Sequence, residues 1–567
     1  MCAAKLSIPK SDAECKFGIE QNQKKLQQWL NELPITDIEK STTQVLQQLI
    51  PANRCDLEVH FRIKLMHELA IISDHLIHAL RTKYSISESP YASVKNMRRI
   101  EAVKTLLQEI GYGFKLIISK LYSVANADAR QQLSYALFQT MRLNARRLIE
   151  SYSLYEPVAH DIWGELNLVY HFAVKRGVQR NTFTFNKSES NIEKMYMQLL
   201  LLEAINPYRL MRGEAEKAYN LMGQWAHDAK LEPLPDPWLP KSSELVVDFN
   251  SGEPPYMVFS GSNPERSADM RIVNISQVKQ ALDRQVDEAR AATGKRHELN
   301  MRLQQDMMQR LIDGWTSDVD RECERSAHEE TMDVVFGIKD CHALFYTQKP
   351  EAQPASPLDG LSLVPKKQNL GNAFKESTTA VSDSIFKIDD PDSDIWAKQN
   401  ITVGAEDIIE ETSDNREKSQ TLTTHPAKQI NVSSGGFALE FELASHHNAK
   451  VGGLVSLRIV GSTSWRLCDI RWLRVTSKSV GVVGLRLISD NPVALICRGV
   501  DSESNNLCLL IQGDDLSDPA TELLVPTAIY EEGSMLSVAF DMHDYSVLLT
   551  KKLEATAAFS RFEFRLI

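Results

Sequence analysis

Cysteine is sparse in this sequence, and long apolar runs are missing. The eight cysteines, at positions 2, 15, 55, 323, 341, 468, 497 and 508, form no Cys-x-x-Cys pair. This scatter argues against zinc and disulfide frameworks and predicts reduced thiols in a cytosolic protein. No run approaches the roughly 20 apolar residues that span a bilayer, and the first residues lack the apolar core of a signal peptide. We therefore expect a soluble, cytoplasmic protein with no membrane span.

Positive charge is also in deficit, and the motifs of common enzymes are absent. The formal net charge of −11 argues against a partner that is nucleic acid. The sequence has no Walker loop, no Gly-x-Ser-x-Gly elbow and no arrangement of a nucleophile with a base. Histidines at positions 60, 67, 75 and 78 share one predicted helical region, but no third ligand has a suitable spacing for a metal. We therefore predict no catalytic residue, no metal, no cofactor and no enzymatic activity.

Hydrophobic periodicity divides the chain into several regions. The 567 residues, 43% of them hydrophobic, are enough for several cores. Apolar side chains recur every three or four positions through residues 16–232, which predicts an α-helical domain, and a cluster of prolines at 233, 235, 237 and 240 ends it. Residues 241–317 are predicted to form a β-segment and a helical connector. Residues 501–567 are predicted to add β-strands packed on a barrel.

An acidic segment interrupts the C-terminal half. Residues 350–429 carry fourteen acidic and eight basic side chains, together with many serines, threonines and prolines. Such a composition does not bury enough apolar surface to fold alone, so we predict a disordered insert over residues 350–427. A long insert is tolerated because the entropy of loop closure rises slowly with loop length.

The most informative stretch follows this insert, at residues 430–443. Phe437, Leu439 and Phe441 alternate with small or charged residues, which is typical of a half-buried strand. Just before it, Asn431 and Ser433 are two residues apart, so their side chains point the same way on an extended chain. Two glycines follow and permit a tight bend or the close approach of another molecule. This pattern predicts the rim of a ligand site.

The stretch Asn431-x-Ser433-x-x-Gly436 resembles the Asp-x-Ser-x-x-Gly motif of PilZ domains, the bacterial receptors for cyclic di-GMP. Upstream, Arg321 and Arg325 supply the Arg-x-x-x-Arg element that these domains carry before their first strand. The resemblance implies a PilZ-like barrel split between residues 318–346 and 428–500. It departs from the family in the length of the insert and in having asparagine at the first motif position. Proteobacterial proteins with a helical N-terminal region and a C-terminal PilZ domain share this order.

The fold class that follows is multidomain α + β: an N-terminal α-helical bundle, a helical connector and a C-terminal antiparallel β-barrel with a long disordered insert. The resemblance implies that Arg321, Arg325, Asn431, Ser433 and Gly436 bind cyclic di-GMP. An arginine fork suits both the phosphodiesters and the guanine O6 and N7 atoms. The predicted function is a cyclic di-GMP receptor that transmits binding to the helical domain. The alternative is an interaction protein that has lost the nucleotide. An unknown protein partner would bind through the helical domain or the acidic insert in either case.

Overall fold

The computed structural model describes most of the chain outside the acidic insert. The described residues are 6–12, 14–85, 93–124, 126–185, 187–240, 243–261, 265–291, 307–312, 314–315, 326–347, 424–433, 435–443, 449–477, 479–499, 504–512, 522–527, 529–540, 543–556 and 558–567. Arg321, Arg325 and nearly all of the predicted insert therefore lie outside the described residues.

The N-terminal unit is helical, as predicted. Its helices are α1 (Gln23–Asn31), α2 (Ile38–Ala52), α3 (Val59–Ser85), α4 (Val94–Leu121), α5 (Ala127–Ser153), α6 (His160–Arg176), α7 (Ile192–Ala204) and α8 (Glu214–Met222), with a short hairpin of β1 (Phe183–Phe185) and β2 (Ser188–Ser190). Asparagine or aspartate side chains cap four of these helices, each accepting a hydrogen bond from a first-turn amide: Asn22, Asp37, Asn126 and Asn191. Such caps are each worth about 1 kcal/mol.

The helical unit contains a buried ion pair within its apolar core. Lys115 Nζ lies 2.6 Å from Glu165 Oε1, and their side chains are 1% and 4% exposed. Glu165 also accepts hydrogen bonds from the Asn144 side chain and from the Ser7 backbone amide. These partners compensate the desolvation of the carboxylate. The same contacts hold the N-terminal segment against the bundle.

One cysteine prediction is wrong. Cys15 and Cys55 form a disulfide with a Cα–Cα distance of 5.4 Å, across a sequence separation of 40 residues. The reason is tertiary: the N-terminal segment runs back over the end of α2, where the Asp12 amide donates to the Arg54 carbonyl. Cys341, Cys468, Cys497 and Cys508 are free and buried.

A small sheet and a helix follow the bundle. Strands β3 (Lys230–Pro233), β4 (Glu244–Asp248), β5 (Tyr256–Val258) and β6 (Met270–Asn274) form an antiparallel sheet in the order β3-β6-β4-β5. Helix α9 (Ser276–Ala291) comes next, and Val278 and Leu282 on it are buried in the core of the helical unit.

The first barrel is closed by strands from both sides of the insert. It consists of β7 (Ser326–Phe336), β8 (His425–Ser433), β9 (Gly436–Glu442), β10 (Leu454–Ile459), β11 (Arg466–Val475) and β12 (Val480–Ser489). Their spatial order is β10-β11-β12-β9-β8-β7, with β7 also paired to β10, so no edge remains open. Alternate residues fill its interior, including Phe437, Leu439 and Val483. The predicted antiparallel barrel is therefore confirmed.

The last strands build a second closed barrel. It contains β13 (Val493–Gly499), β14 (Asn506–Ile511), β15 (Glu522–Pro526), β16 (Met535–Phe540), β17 (His543–Ala555) and β18 (Phe559–Leu566), in the order β13-β14-β15-β18-β17-β16. The expected first barrel extends to residue 500, but β13 pairs with β14 and β16 in the second barrel instead. An apolar layer joins the two barrels around helix α10 (Ile338–Thr347), with contributions from Trp465 and Phe559. This layer explains why both barrels carry apolar residues on an outer face.

Candidate ligand site on the outer face of the first barrel

Asn431 and Ser433 lie side by side at the end of β8. Val432 between them packs against the barrel core, so the two polar side chains point to the outer face. Asn431 pairs with Ala438 and Ser433 pairs with Gly436 across the hairpin to β9. Ser326, the residue that follows Arg325 in the sequence, pairs with Val432 at the same corner of the barrel.

Gly436 allows a close approach of two strands at this corner. A Cβ atom at this position would lie 2.0 Å from the carbonyl oxygen of Leu485 on β12, a distance that no side chain tolerates. Gly435 differs, because a Cβ there meets no atom within 4 Å. Of the two glycines, only Gly436 is therefore required by packing.

Two rows of outward-facing residues cross the sheet from this rim. The first row is Ser433, Gly436, Arg486 and Asp469, on β8, β9, β12 and β11 in turn. The second row is Asn431, Ala438, Gly484 and Trp472 on the same four strands. The Trp472 ring lies directly over Gly484, where a Cβ would fall 1.9 Å from the indole nitrogen. The polar rim, a floor of small residues and the Trp472 ring therefore share one surface.

Arg486 lies in an ion cluster that joins this surface to the second barrel. Its Nε and a terminal nitrogen donate to the two oxygens of Asp469, at 2.9 and 3.1 Å, and that terminal nitrogen also contacts Glu554 at 2.5 Å. Arg471 donates to Glu554 at 2.6 Å, and Arg561 approaches it at 3.5 Å. Burial by itself raises the pKa of the Glu554 carboxyl, but the arginines outweigh burial and lower it. Burial likewise opposes the charge of Arg486, yet Asp469 and Glu554 raise its pKa.

Sequence reasoning missed this cluster. Asp469 is fully buried, although it stands in an alternating strand at a position where the pattern predicts a solvated side chain. It is buried because the second barrel covers the outer face of β11 and β12. The alternation of charged and apolar residues in Arg466–Val475 marked the outer face, but it carried no signal for the partner on β17.

The same face of β11 contacts the helical unit. The Val475 amide donates to the Tyr155 carbonyl oxygen at 2.7 Å, and the Tyr155 side chain packs against the cores of both units. The guanidinium of Arg474 lies 4.5 Å from the centre of the Tyr208 ring. Trp472 is partly buried against the helical core. Residues next to the predicted rim are thus in direct contact with the N-terminal unit.

An open groove of the first barrel has the wrong charge for an anion. It encloses about 520 Å³ and is lined by Glu329, Glu330, Glu440 and Glu442, with Lys428 as its cation. An anionic ligand is repelled by four carboxylates, so this groove is not a candidate nucleotide site. Among the residues that the structure describes, no cluster of three or more histidine, cysteine, aspartate or glutamate side chains has a metal-binding arrangement.

Family comparisons agree with this architecture. Profiles of the cyclic-di-GMP receptor FimW match the chain in order: its N-terminal domain at residues 24–236, its middle PilZ domain at 245–493 and its C-terminal β-barrel domain at 498–567. The chain is a PilZ-domain protein of the FimW family. The predicted combination of a helical N-terminal region with a PilZ barrel is therefore confirmed. The FimW family is described as one of receptors, which are binding proteins.

An individual relative covers nearly the whole chain. The cyclic-di-GMP receptor FimW of Pseudomonas aeruginosa is 21% identical over 576 aligned residues, which span 99% of this chain and 93% of that protein. No solved structure matches the chain. In the described part of this FimW-family chain, no helix has the length and apolar character needed to cross a membrane.

Proposed function

We propose that this protein is a receptor for cyclic di-GMP that passes the binding signal to its helical domain. The observation that carries the proposal is the corner of the first barrel, where Asn431 and Ser433 face outward together beside Gly436. The FimW family profiles and the full-length relative support it, because that relative is named as a cyclic-di-GMP receptor. The proposed site of action is the cytoplasm.

The chemistry of the ligand defines the role of each residue. Cyclic di-GMP offers two phosphodiesters and two guanines. Arg321 and Arg325 would pair with phosphate oxygens or with guanine O6 and N7 through their planar forks. Asn431 and Ser433 would bind the edge of a guanine, and Gly436 keeps the outer face flat. An asparagine offers one acceptor oxygen to the guanine N–H donors, where aspartate offers two.

The route of transmission would be the outer face of β11 and β12. Gly484 lies between Ala438 and Trp472 in one cross-strand row, and Trp472 contacts the helical core. A ligand that binds one arrangement of these units better than another shifts the population toward it. A protein partner would then respond through the helical domain or the acidic insert. We propose no catalytic step.

Calorimetric titration with cyclic di-GMP tests the assignment. Arg321→Ala and Arg325→Ala should each weaken binding by about 1.5–3 kcal/mol, the value of a charge-assisted contact. Both variants should keep the melting temperature of the ligand-free parent, because in this proposal the two arginines hold the ligand and not the fold. Asn431→Asp should retain or strengthen binding, because it adds an acceptor oxygen.

The outcomes separate the two functions. Parent-like affinity in both alanine variants would remove the arginines from the site. Binding by Asn431→Asp but not by the parent would identify a receptor that lapsed at one position. If the parent and all three variants fail to bind, the interaction-protein alternative replaces the receptor proposal.

A further inference from the structure

The first described residues of the chain form a strap over the helical unit. The strap consists of residues 6–12 and 14–20, which form neither helix nor strand. The Cys15–Cys55 disulfide joins it to the chain just beyond α2. Both of these cysteines are partly exposed, whereas the free cysteines at positions 341, 468, 497 and 508 are buried. Among the described cysteines, the disulfide pair is therefore the one that a dissolved thiol can reach.

One end of this disulfide is held firmly by the bundle. The buried guanidinium of Arg62 donates to the carbonyl oxygens of Ala52 and Cys55, both at 2.9 Å. Next to Cys55, Arg54 forms an ion pair with Glu109 at 2.9 Å. These contacts do not involve the strap, so they fix the position of Cys55 whether or not the disulfide is intact.

The other end of the disulfide lies on a segment with few polar contacts. Within the described part of the chain, two backbone amides of the strap donate to the bundle. The Ser7 amide donates to Glu165 at 2.9 Å, and the Asp12 amide donates to the Arg54 carbonyl at 3.0 Å. Each such hydrogen bond adds little net stability, because water replaces it when the strap leaves. The polar contacts alone therefore hold the strap weakly.

The apolar contacts of the strap are also limited. Ile19 is buried in the helical core, whereas Leu6 and Phe17 are only partly buried against it. The Phe17 ring meets Phe61 of α3 edge to face, with 6.1 Å between the ring centres. Because the strap has no regular secondary structure, these contacts must offset the entropy that the backbone loses when it becomes ordered. The disulfide lowers this cost by keeping the strap beside α2, so the bound strap depends on it.

We propose that the Cys15–Cys55 disulfide is a reversible redox site, whose reduction releases the strap from the helical unit. This inference rests on the proposed function only for the cytoplasmic location, where disulfides are mostly transient or redox-sensing. Release removes the Ser7 amide from Glu165, whose carboxylate also pairs with the buried Lys115. It also uncovers the Phe61 ring.

The reductant is a small dissolved thiol such as glutathione. Its thiolate attacks one sulfur of the disulfide, which breaks the S–S bond, leaves the other cysteine as a thiol and gives a mixed disulfide. A second thiol attacks the mixed disulfide and frees the remaining cysteine. Two protein thiols and one oxidised dimer of the reductant result, so two electrons and two protons pass from the small thiols to the cysteines.

The test follows the two cysteines and the strap in nucleotide-free, full-length protein. Samples are equilibrated in glutathione buffers from fully oxidised to fully reduced, and alkylation at Cys15 and Cys55 is measured by mass spectrometry. The same samples are digested briefly with trypsin, because Lys10 and Lys16 of the strap are exposed. Reduction should accelerate cleavage after these lysines at least about tenfold, since cleavage tracks the population of the open strap. Cleavage after Lys551, whose side chain is 65% exposed on β17, is the control and should not change.

Cys15→Ser is the matched variant, because it removes the disulfide and leaves the strap sequence otherwise unchanged. Its strap should be cleaved rapidly at every glutathione ratio, and slow cleavage would contradict the proposal. Alkylation of the parent that does not depend on the glutathione ratio would overturn the redox site. Alkylation that follows the ratio without a change in cleavage would overturn the release of the strap. Because no nucleotide is present, either failure leaves the receptor proposal standing, and a parent that fails to bind cyclic di-GMP leaves this result unaffected.

Discussion

Raising the pH should lower the free energy of unfolding of the helical unit, because one carboxyl is buried near the junction of this unit with the first barrel. Glu203 lies near the end of α7, where the Tyr152 hydroxyl donates to one of its oxygens. Burial raises the pKa of Glu203 from 4.5 to about 7, although the Tyr152 hydrogen bond and the charge of Arg474 act in the opposite direction. At a pH between 4.5 and about 7, the folded protein therefore holds a proton on Glu203 that the unfolded chain has released.

The sign and size of the effect follow from proton linkage. Below pH 4.5, Glu203 is protonated in both states and its contribution to stability is fully present. Between 4.5 and about 7 only the folded state keeps the proton, so the free energy of unfolding falls as the pH rises. The interval between these two values corresponds to about 3 kcal/mol. Above the folded pKa the contribution is lost.

Urea unfolding at a series of pH values measures this loss, with far-ultraviolet circular dichroism reporting the helices. Glu203→Gln should remove this contribution to the pH dependence of the free energy of unfolding, since the amide stays neutral at every pH. Relative to this variant, the parent should lose about 3 kcal/mol between pH 4.5 and pH 8. Glu58→Gln, at an exposed glutamate of the same unit, should leave the pH dependence of the parent unchanged. Parallel curves for the parent and Glu203→Gln would refute the reasoning.

Three further predictions concern the barrels. Gly436→Ala should destabilise the first barrel by about 1–3 kcal/mol in urea unfolding, because its Cβ collides with the Leu485 carbonyl. Gly435→Ala should leave the stability unchanged, because a Cβ there meets no atom. Equal stability of the two variants would contradict the packing argument. Arg486→Ala should lower the free energy of unfolding by about 3–5 kcal/mol, because it removes the bidentate partner of the buried Asp469. Arg466→Ala is the control at a half-exposed ion pair, and it should lower the free energy of unfolding by no more than about 1 kcal/mol. If Arg486→Ala lowers the melting temperature no more than Arg466→Ala does, Arg486 is not needed to stabilise the buried Asp469. Replacing residues 352–424 by a short Gly/Ser linker should leave a cooperative thermal transition, since β7 and β8 pair directly on either side of the insert; an insoluble product would count against this.

Local sequence patterns were sufficient to predict the helical unit, the strand Gly436–Glu442 and the common direction of the Asn431 and Ser433 side chains. The helical unit followed from apolar side chains at helical spacing and from the proline cluster that ends it. The strand Gly436–Glu442 followed from alternation, because the two faces of a half-buried strand have different surroundings. The same period implied that Asn431 and Ser433 point the same way. The predicted roles of Arg321 and Arg325 remain predictions, because these residues lie outside the described part of the chain.

Tertiary structure alone decided the contacts between elements that are distant in sequence. The partner of Asp469 is Arg486 on the next strand. Arg486 in turn contacts Glu554, which lies 68 residues further along the chain. The pairing of β13 with β16 and the disulfide between Cys15 and Cys55 are equally non-local. A periodic pattern reports whether a side chain faces a core or another surface, because burial repeats with the geometry of its own helix or strand. It carries no information on which distant segment covers that surface, since the choice depends on shape and charge complementarity over the whole fold.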